Sequence, residues 1–328
     1  MKRALCFGGL LLLATSPARA EDPPLVSGFA TATYGGNFDQ RRPQFSLEQA
    51  ELTAAKTLSP RGSIRVDLEW TWDGTDWVAA VEQGWMEYRP ERVSGLVLTA
   101  GRFNAPIGFE LLDTPDMYQI SHSLVFNYGT PANLTGLMGA YPLGGGFDLK
   151  AYAANDWERN SENNAVPTLG GRVGWTQSER IAGGLSVLSG KRDESQVEGN
   201  TVVDLDLSLT PSERLLIGAE FNLGTTSVAD QDRSWTGFLV MAHYRLHPGL
   251  GLTGRFDLLD DPDDLLFGSG LGEQRSSVTG ACAVELGPGM QFLSELRLDR
   301  SSEDVFSDHD GKAKSQTVGG ALALCYSF

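Results

Sequence analysis

The chain is poor in cysteine. Only three of its 328 residues are cysteines, and Cys6 lies within the first twenty positions. We expect Cys282 and Cys325 on strands separated by a third strand, with side chains on opposite faces, which disfavours a disulfide. The sequence also contains no paired-cysteine metal motif and no Gly-x-Ser-x-Gly or metalloprotease motif.

Basic residues are also scarce. The sequence has 26 Lys and Arg against 42 Asp and Glu. Three of the basic residues and none of the acidic ones fall in the first twenty positions, so the remaining chain has 23 against 42, a net charge of −19. Because phosphate recognition needs basic patches, nucleic acid is excluded as a partner.

Long apolar runs are absent beyond the N-terminus. Lys2 and Arg3 precede a short apolar stretch, and Ala18-Arg19-Ala20 is a small-x-small cleavage site. A membrane-spanning helix needs about 20 apolar residues, so residues 1–20 are interpreted as a secretory signal. Export alone leaves a soluble periplasmic or secreted protein open, and the apolar content of 41% is ordinary.

The dominant positive signal is an alternation of apolar and polar residues. In the range 63–72, polar residues alternate with the apolar Ile64, Val66, Leu68, Trp70 and Trp72. The ranges 250–259 and 290–299 show the same alternation. This period of two indicates strands with one apolar and one polar face. The alternation slips within 44–57 and 77–88, which indicates either β-bulges or strand boundaries that lie elsewhere.

The pattern predicts about sixteen strands. They lie near 25–37, 44–57, 63–73, 77–88, 94–103, 132–141, 146–155, 168–176, 180–189, 200–209, 214–224, 234–246, 250–259, 275–286, 290–299 and 315–328.

Their connections alternate between short and long. Tight turns such as Pro60-Arg61-Gly62 and Pro288-Gly289 alternate with longer polar segments at 156–167, 190–199, 225–233, 260–274 and 300–314. Short periplasmic turns and longer extracellular loops are typical of outer-membrane barrels. The predicted fold is therefore all-β, a transmembrane antiparallel β-barrel of about 16 strands in a bacterial outer membrane.

The last strand resembles the C-terminal signature of outer-membrane β-barrels. Leu322, Leu324, Tyr326 and Phe328 share one face, and the chain ends on the aromatic residue. The resemblance implies that the barrel-assembly machinery recognises this strand. We expect it to close the barrel against 25–37.

Three further segments carry a family resemblance. Residues 45–52, 101–110 and 118–136 resemble the OmpL-like β-barrel porin family and, less closely, phosphate-selective porins. This resemblance covers nearly the whole mature chain and implies a pore for ions and small hydrophilic solutes. A non-conducting barrel acting as a receptor, an adhesin or a structural protein is the alternative.

The same resemblance implies the partners. They are outer-membrane lipid and lipopolysaccharide, the assembly machinery and small hydrophilic solutes, with a homotrimer left open. No cofactor is expected.

The longest segment without alternation, 104–131, is a candidate constriction loop. In sixteen-stranded porins the third outer loop folds into the lumen, which here would bring Glu110, Asp113 and Asp116 inside. Opposed charges in a narrow pore set ion preference. The pore-lining candidates on the facing walls are basic: Arg65, Arg102, Lys150, Arg172, Arg255 and Arg297. In the alternative interpretation these charges are solvated lumen residues paired with neighbouring Asp67, Asp148 and Asp257.

Two weaker functional patterns remain. Acidic clusters in the outer loops, Asp260, Asp261, Asp263 and Asp264 and then Asp308 and Asp310, have oxygens that calcium prefers. A complete calcium-loop motif is absent, and a hydrophilic loop explains them as well. His122 and Ser123 form the one suggestive nucleophile–base pair, but adjacent residues of an extended segment point in opposite directions. We therefore expect no enzyme and no catalytic residue.

Overall fold

The computed structural model describes residues 23–72, 76–157, 159–161, 167–190, 199–228 and 231–328. The expected signal sequence at 1–20 lies outside these residues. Within the described part of the chain, no helix has the length and apolar character needed to cross a membrane.

Strands make up most of the described chain. The first nine strands are β1 (Leu25–Asn37), β2 (Gln44–Ser59), β3 (Gly62–Trp72), β4 (Trp77–Tyr88), β5 (Val97–Asn104), β6 (Asn133–Gly144), β7 (Phe147–Ala154), β8 (Thr168–Ser178) and β9 (Ile181–Gly190). The other nine are β10 (Gly199–Ser212), β11 (Leu215–Val228), β12 (Gln231–His247), β13 (Leu250–Asp261), β14 (Glu273–Gly287), β15 (Met290–Ser301), β16 (Phe306–Ser307), β17 (Ala313–Lys314) and β18 (Gln316–Ser327).

Sixteen of these strands form one closed antiparallel barrel, and the short β16 and β17 pair separately. Each barrel strand pairs with its neighbours in chain order, and β18 closes the ring against β1 from Phe29↔Ser327 to Asn37↔Gly319. Phe328 extends this ladder, because its N–H donates to the Gly28 carbonyl at 3.0 Å. The predicted fold, strand number and closure are confirmed.

The two faces of the barrel differ in polarity. On β13, Leu252 and Phe256 point outward and are 44% and 37% exposed. Arg255 and Asp257, the residues on either side of Phe256, are buried inside. Large apolar side chains are exposed in the same way on nearly every strand. A surface this apolar is stable in lipid but would aggregate in water.

Both slips in the alternation coincide with bulges. In β2 the register shifts between Thr31↔Gln49 and Ala32↔Leu47, which leaves Glu48 as the extra residue. In β4 the pairs Asp67↔Gln83 and Leu68↔Val81 leave Glu82 as the extra residue. A bulge changes the direction of its side chain, which explains why the alternation slips at these two places.

One expected loop is wrong. The long outer segment 225–233 is largely strand, because β11 continues to Val228 and β12 begins at Gln231. Polar pairs such as Thr226↔Arg233 and Ser227↔Asp232 continue the ladder there. Polar composition does not end a strand there, because the main-chain ladder continues and Thr226 also donates to Asn200 of β10.

The cysteines are placed as expected. Cys282 lies on β14 and Cys325 on β18, with β15 between them. Cys325 is buried on the inner face, whereas Cys282 shares the outward face of β14 with Val278, and both are free.

Candidate functional site

The segment that follows β5, residues 105–132, runs through the barrel lumen and is named here the lumen segment. It contains two short helical turns, Thr114–Asp116 and Val125–Gly129. Its polar groups bond to inward side chains of β2, β10, β11, β13 and β15. Because these strands lie on different sides of the barrel, the segment crosses the lumen.

The first part of the lumen segment is held by two wall carboxylates. The Gly108 N–H donates to Asp204 at 3.2 Å, and the Phe109 N–H donates to Glu220 at 2.8 Å. The Phe109 ring lies directly over Gly218, where an added Cβ would come within 2.0 Å of the ring. This close approach requires glycine at position 218.

The middle of the lumen segment is held by a second set of charged groups. The N–H groups of Ile120 and Ser121 both donate to Glu295, at 2.7 and 3.0 Å, and the Leu124 N–H donates to Asp257 at 2.8 Å. Charge-assisted bonds of this kind are stronger than neutral ones. They satisfy backbone donors that burial would otherwise leave without partners.

Apolar packing adds to these bonds. Val125 of the lumen segment is fully buried in one cluster with Trp235 and Leu239 of β12 and Leu259 of β13. These inward apolar side chains depart from the polar lumen expected for a porin. The run from Phe238 to Met241, apolar on both faces of β12, is the sequence signal that could have identified this contact.

The lumen segment meets the opposite wall at Asp113 and Thr114. The Thr114 N–H and Oγ1 donate to Gln49 of β2, at 3.3 and 2.9 Å. One carboxylate oxygen from each of Asp113, Glu51 and Glu82 lies within 4.8 Å of the others. Burial, followed by the neighbouring Glu51 carboxylate, raises the pKa of Asp113 to about 8.

Four of the six basic candidates form ion pairs along the inner wall. Arg65 pairs with Asp67 at 2.8 Å, Arg172 with Asp206, Arg255 with Asp257 at 3.1 Å, and Arg297 with Asp299 at 2.8 Å. Arg102 donates to the main-chain carbonyl of Glu82 at 3.0 Å, and Lys150 lies opposite Arg172 on the neighbouring strand.

The three acidic candidates of the lumen segment differ in their surroundings. Glu110 pairs with Arg255, its oxygen lying 2.7 Å from the guanidinium. Asp113 lies among other carboxylates, and the exposed Asp116 donates its N–H to the Asp113 carbonyl at 3.0 Å. The structure thus brings Glu110 to the basic wall and places Asp113 beside an acidic one.

Several wall residues that bind or border the lumen segment were not predicted from the sequence. They are Gln49, Glu51, Glu82, Asp204, Glu220 and Glu295. The bulge at Glu82 was detectable as a slip in the alternation, but the partners of these side chains were not, because they come from distant parts of the chain.

The acidic outer loops use their carboxylates for local hydrogen bonds. Asp261 accepts the N–H groups of Leu265, Leu266 and Phe267, and Asp264 accepts that of Gly270. In the other candidate, the half-buried Asp308 and the exposed His309 and Asp310 lie close enough to share an ion.

The His122–Ser123 pair has other hydrogen-bond partners. The His122 Nε2 bonds to the Leu111 carbonyl at 3.0 Å, and its ring stacks on Phe126. The Ser123 Oγ accepts the Phe126 N–H at 3.1 Å. Burial lowers the pKa of His122, which favours the neutral ring. These contacts cap a helical turn and do not form a nucleophile–base pair.

A closed barrel with a buried polar lumen and an internal segment is the architecture of a porin, and comparison with protein families agrees. The model of the family described as "Putative beta-barrel porin-2, OmpL-like" matches residues 26–328. The chain belongs to this family. The suspected resemblance is confirmed, and the protein is a porin-type barrel of the bacterial outer membrane.

Solved structures similar to this OmpL-like porin are also outer-membrane barrels. The channel DcaP of Acinetobacter baumannii is 12% identical with a TM-score of 0.68, over 96% of this chain and 100% of that one. An anion-selective porin from Comamonas acidovorans is 11% identical with a TM-score of 0.67, over 93% and 99%. A trimer form of OmpT from Vibrio cholerae is 13% identical with a TM-score of 0.65, over 94% and 100%. At these identities the likeness concerns the fold alone. A search of curated proteins finds no match.

Proposed function

We propose that this porin-type barrel is a passive diffusion channel for ions and small hydrophilic solutes. The observation that carries the proposal is the polar inner face of a closed sixteen-stranded barrel. A barrel of this size leaves an aqueous channel, as in general porins.

We further propose that the lumen segment narrows this channel. It runs between opposite walls, from Asp204 and Glu220 on one side to Gln49 on the other. These bonds, together with the packing of Val125, keep it inside the barrel. Solutes would therefore pass beside a fixed obstacle lined by charged side chains.

The proposed channel prefers cations. Over the described ranges, eleven carboxylates are buried, whereas four of the basic candidates each pair with one neighbouring carboxylate, so acidic groups remain in excess. An excess of fixed negative charge in a narrow aqueous path raises the local concentration of cations and repels anions. This preference differs from that of the similar anion-selective porin from Comamonas acidovorans.

Single-channel recording in a planar bilayer tests the proposed function. The purified, folded barrel should insert and give discrete conductance steps, and a salt gradient should give a reversal potential of the sign expected for cations. Heat-modifiable migration on a gel checks folding in the same sample. Folded barrel without conductance steps would refute the channel.

The second candidate is a non-conducting barrel that acts as a surface receptor, an adhesin or a structural protein. The observation that favours it is the apolar cluster of Val125, Trp235, Leu239 and Leu259, which fills part of the lumen. A sealed lumen would give no conductance, so the bilayer experiment separates the two candidates.

The proposed partners follow from the two surfaces of the barrel. The outward apolar side chains would contact outer-membrane lipid and lipopolysaccharide, and the strand that ends at Phe328 would be recognised by the assembly machinery. A homotrimer is also proposed, since one similar structure, OmpT from Vibrio cholerae, is described as a trimer form. Cross-linking in native membranes would test the trimer.

A further inference from the structure

Three carboxylates from separate parts of the chain converge on the wall opposite the apolar cluster. Glu51 comes from β2, Glu82 from the bulge in β4 and Asp113 from the lumen segment. One oxygen of each lies within 4.8 Å of the other two. The bulge adds Glu82 to β4 as an extra residue, and the side chain of this residue supplies one of the three carboxylates.

Several buried carboxylate oxygens of this cluster have no hydrogen-bond donor. Glu82 is 3% exposed, and both of its buried carboxylate oxygens lack a hydrogen-bond partner. Glu51 Oε2 and Asp113 Oδ1 are buried without a partner as well, although Glu51 Oε1 accepts the Thr53 hydroxyl at 2.8 Å.

Buried carboxylates without donors are costly. Removing an ionised carboxylate from water costs several kcal/mol unless a positive charge or donors compensate. The neighbouring Arg65 directs its Nε to both oxygens of Asp67, at 2.9 and 2.8 Å. One oxygen of each of the three carboxylates therefore lies near the other two without a hydrogen-bond donor, an arrangement that a bound cation stabilises directly.

We propose that Glu51, Glu82 and Asp113 form a binding site for a divalent cation, specifically calcium. Calcium–oxygen distances of about 2.3–2.6 Å allow ligand oxygens up to about 5 Å apart around one ion, which fits the observed spacing. Magnesium requires regular octahedral geometry and usually keeps several of its waters, whereas calcium accepts an irregular set of carboxylates from separate elements. Water from the lumen completes the coordination.

The bound ion would link the lumen segment to the wall. Asp113 belongs to that segment, whereas Glu51 and Glu82 belong to β2 and β4, so calcium joins three elements that otherwise repel one another here. The site requires only the folded barrel. It therefore does not depend on whether the lumen conducts.

Calorimetric titration of the folded, chelator-treated barrel with calcium chloride tests the site. The wild type should bind one calcium ion, with a dissociation constant near the ~10⁻⁴–10⁻³ M range of extracellular sites. Glu82→Gln should bind at least about tenfold more weakly, a change of about 1.4 kcal/mol. Glu51→Gln serves as the second variant if Glu82→Gln does not fold.

Two variants serve as matched controls. Glu220→Gln removes one buried lumen carboxylate that already accepts a backbone N–H, and Asp308→Asn alters the acidic group on the outer loop. Both should bind calcium as the wild type does. The proposal is overturned if the wild type binds no calcium, if Glu82→Gln and Glu51→Gln bind it unchanged, or if Asp308→Asn abolishes binding.

Discussion

Arg255 of β13 donates to Glu110 of the lumen segment across 2.7 Å, and neither side chain is more than 3% exposed. The same guanidinium donates to the Ser121 carbonyl at 2.6 Å and to Asp257 at 3.1 Å. One wall residue therefore holds two points of the lumen segment, which makes it the most connected anchor of that segment.

Replacing this anchor should destabilise the barrel. Arg255→Met leaves the buried Glu110 and Asp257 carboxylates without their cation, and breaking a buried pair in this way costs about 3–5 kcal/mol. Urea unfolding of the detergent-solubilised barrel measures the loss. Arg61→Gln, which removes the exposed pair with Glu91, should cost less than about 1 kcal/mol. Equal losses in both variants would contradict the anchoring role of Arg255.

Glu295 offers a test of the backbone anchors. Glu295→Ala removes the acceptor of the Ile120 and Ser121 N–H groups, and each bond to a charged group contributes about 1.5–3 kcal/mol. Glu295→Gln keeps a neutral oxygen at the same place, so it should lose about 1 kcal/mol. Unfolding free energies in urea distinguish the two. Similar values for Ala and Gln would indicate that these hydrogen bonds contribute little.

Ion preference tests the charges at the proposed constriction. At pH 9, above the pKa of about 8 for Asp113, Asp113→Asn combined with Asp116→Asn should lower the ratio of cation to anion permeability, because each charge contributes about 1 kcal/mol at about 4 Å in water. The reversal potential in a potassium chloride gradient, with calcium chelated, measures the ratio. Asp308→Asn with Asp310→Asn, on the exposed loop, is the control. An unchanged ratio in the first variant would exclude these carboxylates from the selectivity of the pore.

The terminal aromatic residue should matter more for assembly than for stability. Phe328→Ala keeps the main-chain bonds to Gly28 but removes an exposed ring, so refolding of the purified chain into detergent should change little. In cells, the amount of barrel in the outer membrane should fall several-fold if the assembly machinery recognises that ring. Phe147→Ala removes another exposed ring and should leave this amount unchanged. Equal amounts for all three proteins would rule out recognition of Phe328.

The strands were predictable because their cause is local. Alternation of apolar and polar residues follows from having lipid on one side and a polar lumen on the other, and β1 and β4 have the expected bounds. The predicted strand ends are wrong where the alternation of apolar and polar residues stops but the ladder continues. Polar residues such as Thr226, Ser227 and Asp232 still pair in the ladder there, so polarity could not mark the end of the strand.

The contacts inside the lumen, unlike the strands, do not follow from a local pattern. The sequence predicts that 104–131 folds inward and that its carboxylates face basic residues. It did not indicate that Glu110 reaches Arg255 while Asp113 meets Glu51 and Glu82. These pairs are separated by many strands, and a shift of one residue at a single bulge reverses which side chains point inward.

The sequence by itself determined the barrel, its strand number and its closure, because each depends on the period of the chain and on the ladder between successive strands. Only the tertiary structure decided what lies inside. Closing the ring brings β2, β4 and β13 to the same lumen segment, and the resulting contacts between Arg255 and Glu110, or between Glu82 and Asp113, depend on distances in space that no local pattern contains.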